Sequence, residues 1–159
     1  MQYVFNHYAL LYMLEQFPRN IGIDIWESFS KSCQDGTIVS HRESQKLLEL
    51  EAVEQDSLIW SKQNSSIFRP STTAEVEIMG KMMEKKAFDF LITPRLMRRR
   101  MPEEAPFLLA ITKKHDCVFV YRKNIVKDFW PEIKKVCDNY NIKYMEVEEC
   151  LIALNSSTN

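Results

Sequence analysis

The sequence predicts an α/β layered domain in which a short, mainly parallel central sheet is flanked by helices. Short apolar runs alternate with segments that place apolar residues three and four positions apart, along most of the 159 residues. The clearest strand is 117–121, a continuous apolar run typical of a strand buried on both faces. No repeat or long linker divides the sequence, so we expect one domain over 1–154 and a disordered polar tail at 155–159.

The first third of the chain predicts two strands, each followed by a helix. Tyr3–Phe5 has the apolar character of a short buried strand, and a helical stretch follows it. An amphipathic helix is predicted over 21–33, and Asp35–Gly36 supplies a C-terminal glycine signal. The run 37–39 predicts a second strand, and Ser40 is a candidate N-cap for the next helix.

The rest of the chain continues this alternation. Thr72 or Thr73 could cap a further helix. Another helix over 107–114 is preceded by acidic residues that suit a helix N-terminus. After the central apolar strand come one more helix, a strand over 142–147 and a closing helical turn at 151–154. This order predicts helices packed on both faces of the sheet.

Composition favours a soluble globular protein and excludes several kinds of site. Hydrophobic residues make up 45% and charged residues 27% of the chain, which are ordinary values for a globular domain. Three glycines are too few for a glycine-rich phosphate loop. The four cysteines form no CxxC pair, so no zinc site is indicated. Without a signal-peptide pattern or a long apolar stretch, a cytoplasmic location is expected.

Charge is unevenly distributed along the chain. The net charge is −1, yet residues 81–100 hold seven basic and two acidic side chains. Guanidinium groups match phosphate oxygens in bidentate fashion, so this segment could bind RNA or DNA in a salt-dependent way. The candidate nucleic-acid-binding residues are Arg95, Arg98, Arg99 and Arg100. The competing interpretation is a solvated segment paired with the acids Glu103 and Glu104 that follow it.

Three segments, taken in order, resemble a group of uncharacterised prokaryotic PIN-like domain proteins. The first runs from Phe17 to Glu43, with a proline, a tryptophan-bearing helix and a glycine before a short strand. The second is 55–60, and the third begins at 106–110 and continues into the 117–121 strand. The resemblance implies a three-layer PIN-like fold, a homodimer as one option, and a relation to the toxin ribonucleases of toxin–antitoxin systems.

The same resemblance implies an acidic site that this sequence lacks. PIN-like nucleases hold Mg²⁺ or Mn²⁺ with carboxylates, because hard cations need oxygen ligands. Asn6, Leu47 and Ala105 stand where the family carries acids, and Tyr121 stands where it carries a threonine. We therefore predict a degenerate pseudo-nuclease with no catalytic residue, no metal and no cofactor. It would act by binding RNA, DNA or a protein partner, but no membrane, in a toxin–antitoxin or mobile-element setting.

Two alternatives remain open at this point. The protein could be an active, toxin-like ribonuclease that uses Mg²⁺ or Mn²⁺ and whose acids have moved to Glu43, Glu49 or Glu104. It could instead be a protein-binding module in which the arginines serve only solubility. His7, at the end of the first strand, is expected to be solvated. The eight methionines are expected to fill core gaps or to form a soft surface for a partner.

Overall fold

A computed structural model describes residues 1–20, 22–92, 103–123, 125 and 129–158. Five strands form one sheet in this part of the chain. They are β1 (Tyr3–Phe5), β2 (Ile38–His41), β3 (Phe68–Arg69), β4 (Val118–Tyr121) and β5 (Lys143–Glu146). The strand order is β3-β2-β1-β4-β5, and every neighbouring pair is parallel. The predicted α/β fold with a short, mainly parallel sheet is confirmed.

Helices connect the strands and cover both faces of the sheet. The α-helices are α1 (His7–Leu11), α2 (Ile23–Gln34), α3 (Arg42–Glu51), α4 (Gln55–Gln63), α5 (Thr73–Glu84), α6 (Ala105–His115), α7 (Trp130–Asn139) and α8 (Val147–Thr158). A π-helical turn at Tyr12–Gln16 continues α1. Short 3-10 turns lie at Ser65–Ile67 and Asp89–Leu91. Thr72, one of the two predicted caps, begins α5 in a capping box with Glu75.

The sheet separates two hydrophobic clusters. Side chains alternate between the faces of a strand, so Phe5 joins one cluster while its neighbour Val4 joins the other. The cluster around Phe5 draws on α1, α2, α3 and α8, and the cluster around Val4 draws on α5, α6 and α7. Phe119 and Val120 in β4 divide in the same way. The result is a three-layer arrangement, with helices on both sides of the sheet.

Aromatic residues and all four cysteines lie in these clusters. Phe29 is fully buried, and its ring stacks on that of Trp60 with 5.9 Å between the centroids. All four cysteines are buried and free. Burial raises the pKa of the Cys33 and Cys137 thiols to about 12, with smaller contributions from the nearby Asp35 and Asp138. These thiols are therefore protonated at neutral pH and serve as small apolar groups.

Two local predictions are corrected. Ser40 is the third residue of β2, not a helix cap, and its hydroxyl donates to the Phe5 carbonyl at 2.7 Å. The cap of α3 is His41. The predicted disordered tail is helical through Thr158, because the Ser28 hydroxyl donates to the Asn155 side-chain oxygen at 3.0 Å and Leu154 is buried.

Within the described residues, none of the helices is both long enough and apolar enough to cross a membrane.

Candidate functional site

The carboxyl ends of the parallel strands meet at one edge of the sheet, where α/β folds commonly place their functional groups. The central strand β1 ends at Phe5, so Asn6 and His7 lie at the middle of this edge. Asn6 is buried, and its side-chain oxygen accepts a hydrogen bond from the Ala9 backbone N–H at 2.8 Å. The residue at the expected acidic position therefore serves as the N-cap of α1.

His7 is buried and lies between two carboxylates, so the expectation of a solvated side chain is wrong. Its backbone N–H donates to Oε1 of Glu104 at 2.8 Å, and its Nδ1 bonds to Oε2 of the same carboxylate. On the other side of the ring, Nε2 lies 3.1 Å from Oε2 of Glu51. Glu104 immediately precedes α6, and Glu51 is the last residue of α3. Both helices thus contribute an acid to the end of β1.

The two carboxylates keep the imidazole charged. Burial by itself would lower the pKa of His7, but the charges and hydrogen bonds of Glu104 and Glu51 outweigh it and raise the pKa to about 9. At neutral pH His7 is therefore an imidazolium, and both ring nitrogens donate. Ser44 of α3 completes the cluster, since its Oγ lies 3.5 Å from Oε1 of Glu104.

The other acids considered from the sequence lie elsewhere. Glu43 forms an ion pair with Lys46 at 2.9 Å. Glu49 accepts a hydrogen bond from the Ser61 hydroxyl at 3.2 Å. Of the three candidate acids, Glu104 reaches His7. The other two expected acidic positions, Leu47 and Ala105, are occupied by buried apolar side chains.

The four arginines predicted to bind nucleic acid, Arg95, Arg98, Arg99 and Arg100, lie outside the described residues.

A second histidine at the same edge is kept neutral. His41 ends β2, and its Nδ1 accepts a hydrogen bond from the Glu43 backbone N–H at 3.0 Å. Its Nε2 lies 2.9 Å from the Ser71 hydroxyl, and its ring stacks on Phe107 with 4.6 Å between centroids. Burial lowers the pKa of His41. The edge therefore holds one charged imidazole, that of His7, and one neutral imidazole, that of His41. Their different hydrogen-bond partners account for the difference in charge.

Aromatic and charged side chains fill the part of the edge beyond β4. Tyr121 stacks on Trp130 with 3.6 Å between the ring centroids. The Arg122 guanidinium lies 3.9 Å above the ring of Tyr12, whose hydroxyl donates to Glu148 at 2.8 Å. Burial and the Glu148 carboxylate raise the pKa of the Tyr12 hydroxyl to about 12. These contacts tie the end of β4 to the start of α8.

Glu146 is a buried acid at this end of the sheet, and its role is structural. It is the last residue of β5, and its Oε2 accepts the backbone N–H of Glu148 at 2.7 Å. The carboxylate thereby caps the first turn of α8. The sequence analysis did not single out Glu146, Ser44 or Glu51. Nothing local distinguishes Ser44 and Glu51, because their partners Glu104 and His7 lie 60 and 44 positions away along the chain. Glu146 bonds only two residues ahead, so an acid just before the closing helix was the one local signal of this cap.

The donor set at the sheet edge does not fit a Mg²⁺ or Mn²⁺ site of the kind PIN-like nucleases use. Among the described residues, no three His, Cys, Asp or Glu side chains are grouped so that they could hold a metal ion. Glu104 and Glu51 both point their oxygens at the nitrogens of His7. Asn6 uses its oxygen as a helix cap. A hard cation needs several free oxygen ligands, and these oxygens are already engaged.

A further concave surface lies along α2. It is an open groove of about 550 Å³, lined by Arg19, Ile23, Trp26, Glu27, Ser30, Lys31, Gln34 and Trp60. The Arg19 guanidinium lies 4.9 Å from the ring centroid of Trp26. The Trp26 indole N–H is buried and has no hydrogen-bond partner among the described residues. Two indole side chains and a cation give this groove the composition of a protein-contact surface.

Comparison with known proteins supports the fold. A family model described as a domain of unknown function, DUF4411, matches residues 3–158. The chain is similar to one in the crystal structure of VapBC2 from Rickettsia felis bound to a DNA fragment from their promoter. That match has a TM-score of 0.53 and 11% sequence identity, and it covers 92% of this chain and 98% of that chain. No curated protein matches the sequence. The structural likeness supports the three-layer PIN-like fold predicted from the sequence.

Proposed function

This chain belongs to the DUF4411 family, and we propose that it is a degenerate PIN-like domain that acts by binding and does not cleave nucleic acid. One observation carries the proposal. The ring of His7 lies between the carboxylates of Glu104 and Glu51 at the carboxyl end of β1. A protonated imidazole at this point supplies positive charge where a metal-dependent relative would hold a cation.

An imidazolium in place of a metal ion keeps the acidic side chains packed together, but it cannot support hydrolysis of a phosphodiester. A divalent cation in a nuclease neutralises its acidic ligands, activates a water molecule and neutralises charge on the reacting phosphate. The His7 imidazolium offsets one of the two negative charges of Glu104 and Glu51, but it has no open coordination position for water or phosphate. The fold thus retains its central cluster of charges without the ability to hydrolyse a phosphodiester.

Two surfaces supply the binding function in this proposal. Arg95, Arg98, Arg99 and Arg100 provide cationic contacts for an RNA or DNA backbone. The groove on α2 provides an aromatic surface for a protein partner. The similar VapBC2 structure is bound to promoter DNA, which favours nucleic acid as one ligand and a toxin–antitoxin setting.

The absence of cleavage is tested with mixed RNA incubated with the purified protein and Mg²⁺ or Mn²⁺, with a chelator as control. We expect no cleavage above the chelator control. Chelator-sensitive cleavage that disappears in a Glu104→Gln variant and persists in a Glu43→Gln variant would overturn the proposal. Glu43 is a matched control because it pairs with Lys46 and makes no described contact with His7.

Nucleic-acid binding is tested by fluorescence anisotropy with labelled RNA and duplex DNA over a range of salt concentrations. Replacement of Arg98, Arg99 and Arg100 by serine should weaken binding to either ligand. It should also flatten the salt dependence, by about 0.9 in log–log slope for each DNA phosphate that the variant no longer neutralises. The control replaces three exposed lysines elsewhere, Lys62, Lys114 and Lys135. Equal effects of the two triple variants would contradict the assignment of the arginines.

One observation favours a second candidate, an active ribonuclease with relocated acids. Glu104 and Glu51 lie on different sides of the same imidazole ring, so two carboxylates are present at the carboxyl end of β1. This alternative requires Mn²⁺ to bind the wild-type protein and raise its thermal stability, because a ligand of the folded state shifts the unfolding equilibrium. The proposal of a pseudo-nuclease requires no such shift.

A further inference from the structure

The N-cap of α3 is a histidine, His41, whose ring can gain a proton in mild acid. Helix caps are more commonly side-chain oxygens of Asn, Asp, Ser or Thr, which accept a free N–H group of the first turn. In α3 the acceptor is Nδ1 of His41, which accepts the backbone N–H of Glu43 at 3.0 Å. Asn6 on α1 and Thr72 on α5 use oxygen instead. The cap of α3 therefore depends on a nitrogen lone pair that a proton can occupy.

The hydrogen bonds of the His41 ring determine its tautomer. Because Nδ1 accepts a hydrogen bond, the proton of the neutral ring lies on Nε2, which donates to Oγ of Ser71 at 2.9 Å. The same assignment excludes a serine nucleophile at this position, since a general base would need the free lone pair of Nε2 to face the Ser71 hydroxyl. The ring is buried and stacks on Phe107 of α6. Both hydrogen bonds of His41 thus suit the neutral ring.

The charged groups around His41 act on its pKa in opposite directions. Burial has the largest effect and lowers the pKa from the ordinary value of 6.5. The nearby carboxylates, those of Glu43 and Glu75, raise the pKa, and the nearby cations, those of Arg42 and Lys46, lower it. Arg69 pairs with His41 in the register of the sheet, but its guanidinium turns towards the residues before β2. The ring is therefore neutral at neutral pH, and the cap is in place.

Protonation of His41 would remove the acceptor that caps α3. A proton from solvent would occupy the lone pair of Nδ1, so two N–H groups would face each other across the 3.0 Å that now separates Nδ1 from the Glu43 nitrogen. The first turn of α3 would then have one more unsatisfied N–H group. Ser44 lies in this turn, and its Oγ is 3.5 Å from Oε1 of Glu104. The cap thus lies beside the cluster that surrounds His7.

We propose that His41 is an acid-sensitive cap, and that protonation of its Nδ1 breaks the bond to Glu43, frees the first turn of α3 and withdraws Ser44 from Glu104. The change is reversible, because the proton leaves as pH returns to neutral. The first turn should be closed at and above pH 6.5 and should open as pH falls through the lowered pKa of His41. The inference depends on the geometry of β2 and α3, and it holds whether the domain binds nucleic acid or cleaves it.

Amide hydrogen exchange, followed by NMR at a series of pH values, tests the cap. The protection factor of the Glu43 amide should fall about fivefold as His41 gains its proton, which is the size of effect that loss of a helix cap produces. The Ala9 amide is the internal control, because its acceptor is the side-chain oxygen of Asn6. The ring protons of His41 should titrate with the same midpoint as the Glu43 protection factor. A Glu43 protection factor that stays constant through this titration overturns the proposal.

Three variants separate the proton from the cap. His41→Asn keeps an acceptor that gains no proton, so its Glu43 protection factor should not change with pH. His41→Ala has no acceptor, so protection should already be about fivefold lower at neutral pH and should not fall further in acid. His115→Asn, at a side chain that is 44% exposed, should keep the fall seen in the wild type. Each variant is compared with itself across pH, which removes the effect of the lost contact with Phe107. A fall in His41→Asn as large as in the wild type would refute the proposal.

Discussion

Glu104 accepts two hydrogen bonds from His7, a residue 97 positions earlier in the chain, one from the backbone N–H and one from the ring. The first satisfies a free N–H group at the start of α1, where a carboxylate is also favoured by the helix dipole. The second orients the imidazole so that its other nitrogen faces Glu51. A single carboxylate therefore fixes the start of a helix, the direction of a ring and the charge that the ring carries.

Replacement of His7 by alanine should lower the free energy of unfolding at neutral pH by about 3 kcal/mol, because it leaves Glu104 and Glu51 without their buried cation. The estimate is at the lower end for buried pairs, since the Glu51 side chain is 30% exposed. Urea denaturation at neutral pH measures the change. Lys46→Ala breaks a more exposed pair with Glu43 and should cost less than about 1 kcal/mol. Similar losses in the two variants would contradict a buried charge cluster.

Stability should fall on both sides of pH 6.5, because the pKa values of His7 and His41 are shifted in opposite directions from that ordinary value. His7 has a raised pKa, so its contribution is complete below the ordinary value of 6.5 and is lost as pH rises through about 9. His41 has a lowered pKa, so its contribution is present above 6.5 and is lost as pH falls below that value. Denaturant midpoints measured across this range should show both losses. In a His7→Gln variant, the denaturant midpoint should fall less at alkaline pH than in the wild type, and its fall at acidic pH should be unchanged. If the midpoint of the variant falls as much as that of the wild type at alkaline pH, His7 is not the titrating group.

Local patterns were sufficient to predict much of the fold. Continuous apolar runs identified β1 and β4, and the two candidate caps Thr72 and Thr73 placed the start of α5 to within one residue. The strand β3 was missed because two residues, Phe68–Arg69, carry no periodicity. Ser40 was misassigned because a serine before a helix has the local signature of an N-cap, whereas here it lies within β2 and bonds to the neighbouring strand.

The arrangement of the site could not be predicted in the same way. The sequence shows that Asn6, Leu47 and Ala105 are not acids, but it did not show that the His7 ring lies between Glu104 and Glu51. His7 meets Glu104 and Glu51 only when β1, α3 and α6 are brought together by the sheet topology. A histidine after a strand has the same local pattern whether water or two carboxylates surround it. The charge of His7 is thus a property of tertiary structure.

Phe29 should be the aromatic residue on which the α2 side of the core most depends. Its side chain is fully buried and contacts the rings of Phe5, Trp26 and Trp60. Phe29→Ala should destabilise the protein by about 3–5 kcal/mol through reduced apolar burial and a cavity. Ile23→Ala, on the same helix at a residue 60% exposed, should change the unfolding free energy by less than about 0.5 kcal/mol. Urea titrations of the two variants compare them directly, and a small effect of Phe29→Ala would mean that the neighbouring rings close the cavity.

Removal of the His7 imidazolium should allow a divalent cation from solution to stabilise the protein. In a His7→Ala variant the carboxylates of Glu104 and Glu51 no longer have the imidazolium between them, so a divalent cation with its water ligands could replace it. Thermal melts should then show that Mn²⁺ stabilises His7→Ala, by about 2.7 kcal/mol at a hundredfold excess over the dissociation constant, and leaves the wild type unchanged. Adding Glu104→Gln to the variant should abolish the Mn²⁺ effect, because it removes one of the two charges. Stabilisation of the wild type to the same extent would instead favour the metal-dependent ribonuclease, since it would mean that His7 does not exclude the metal.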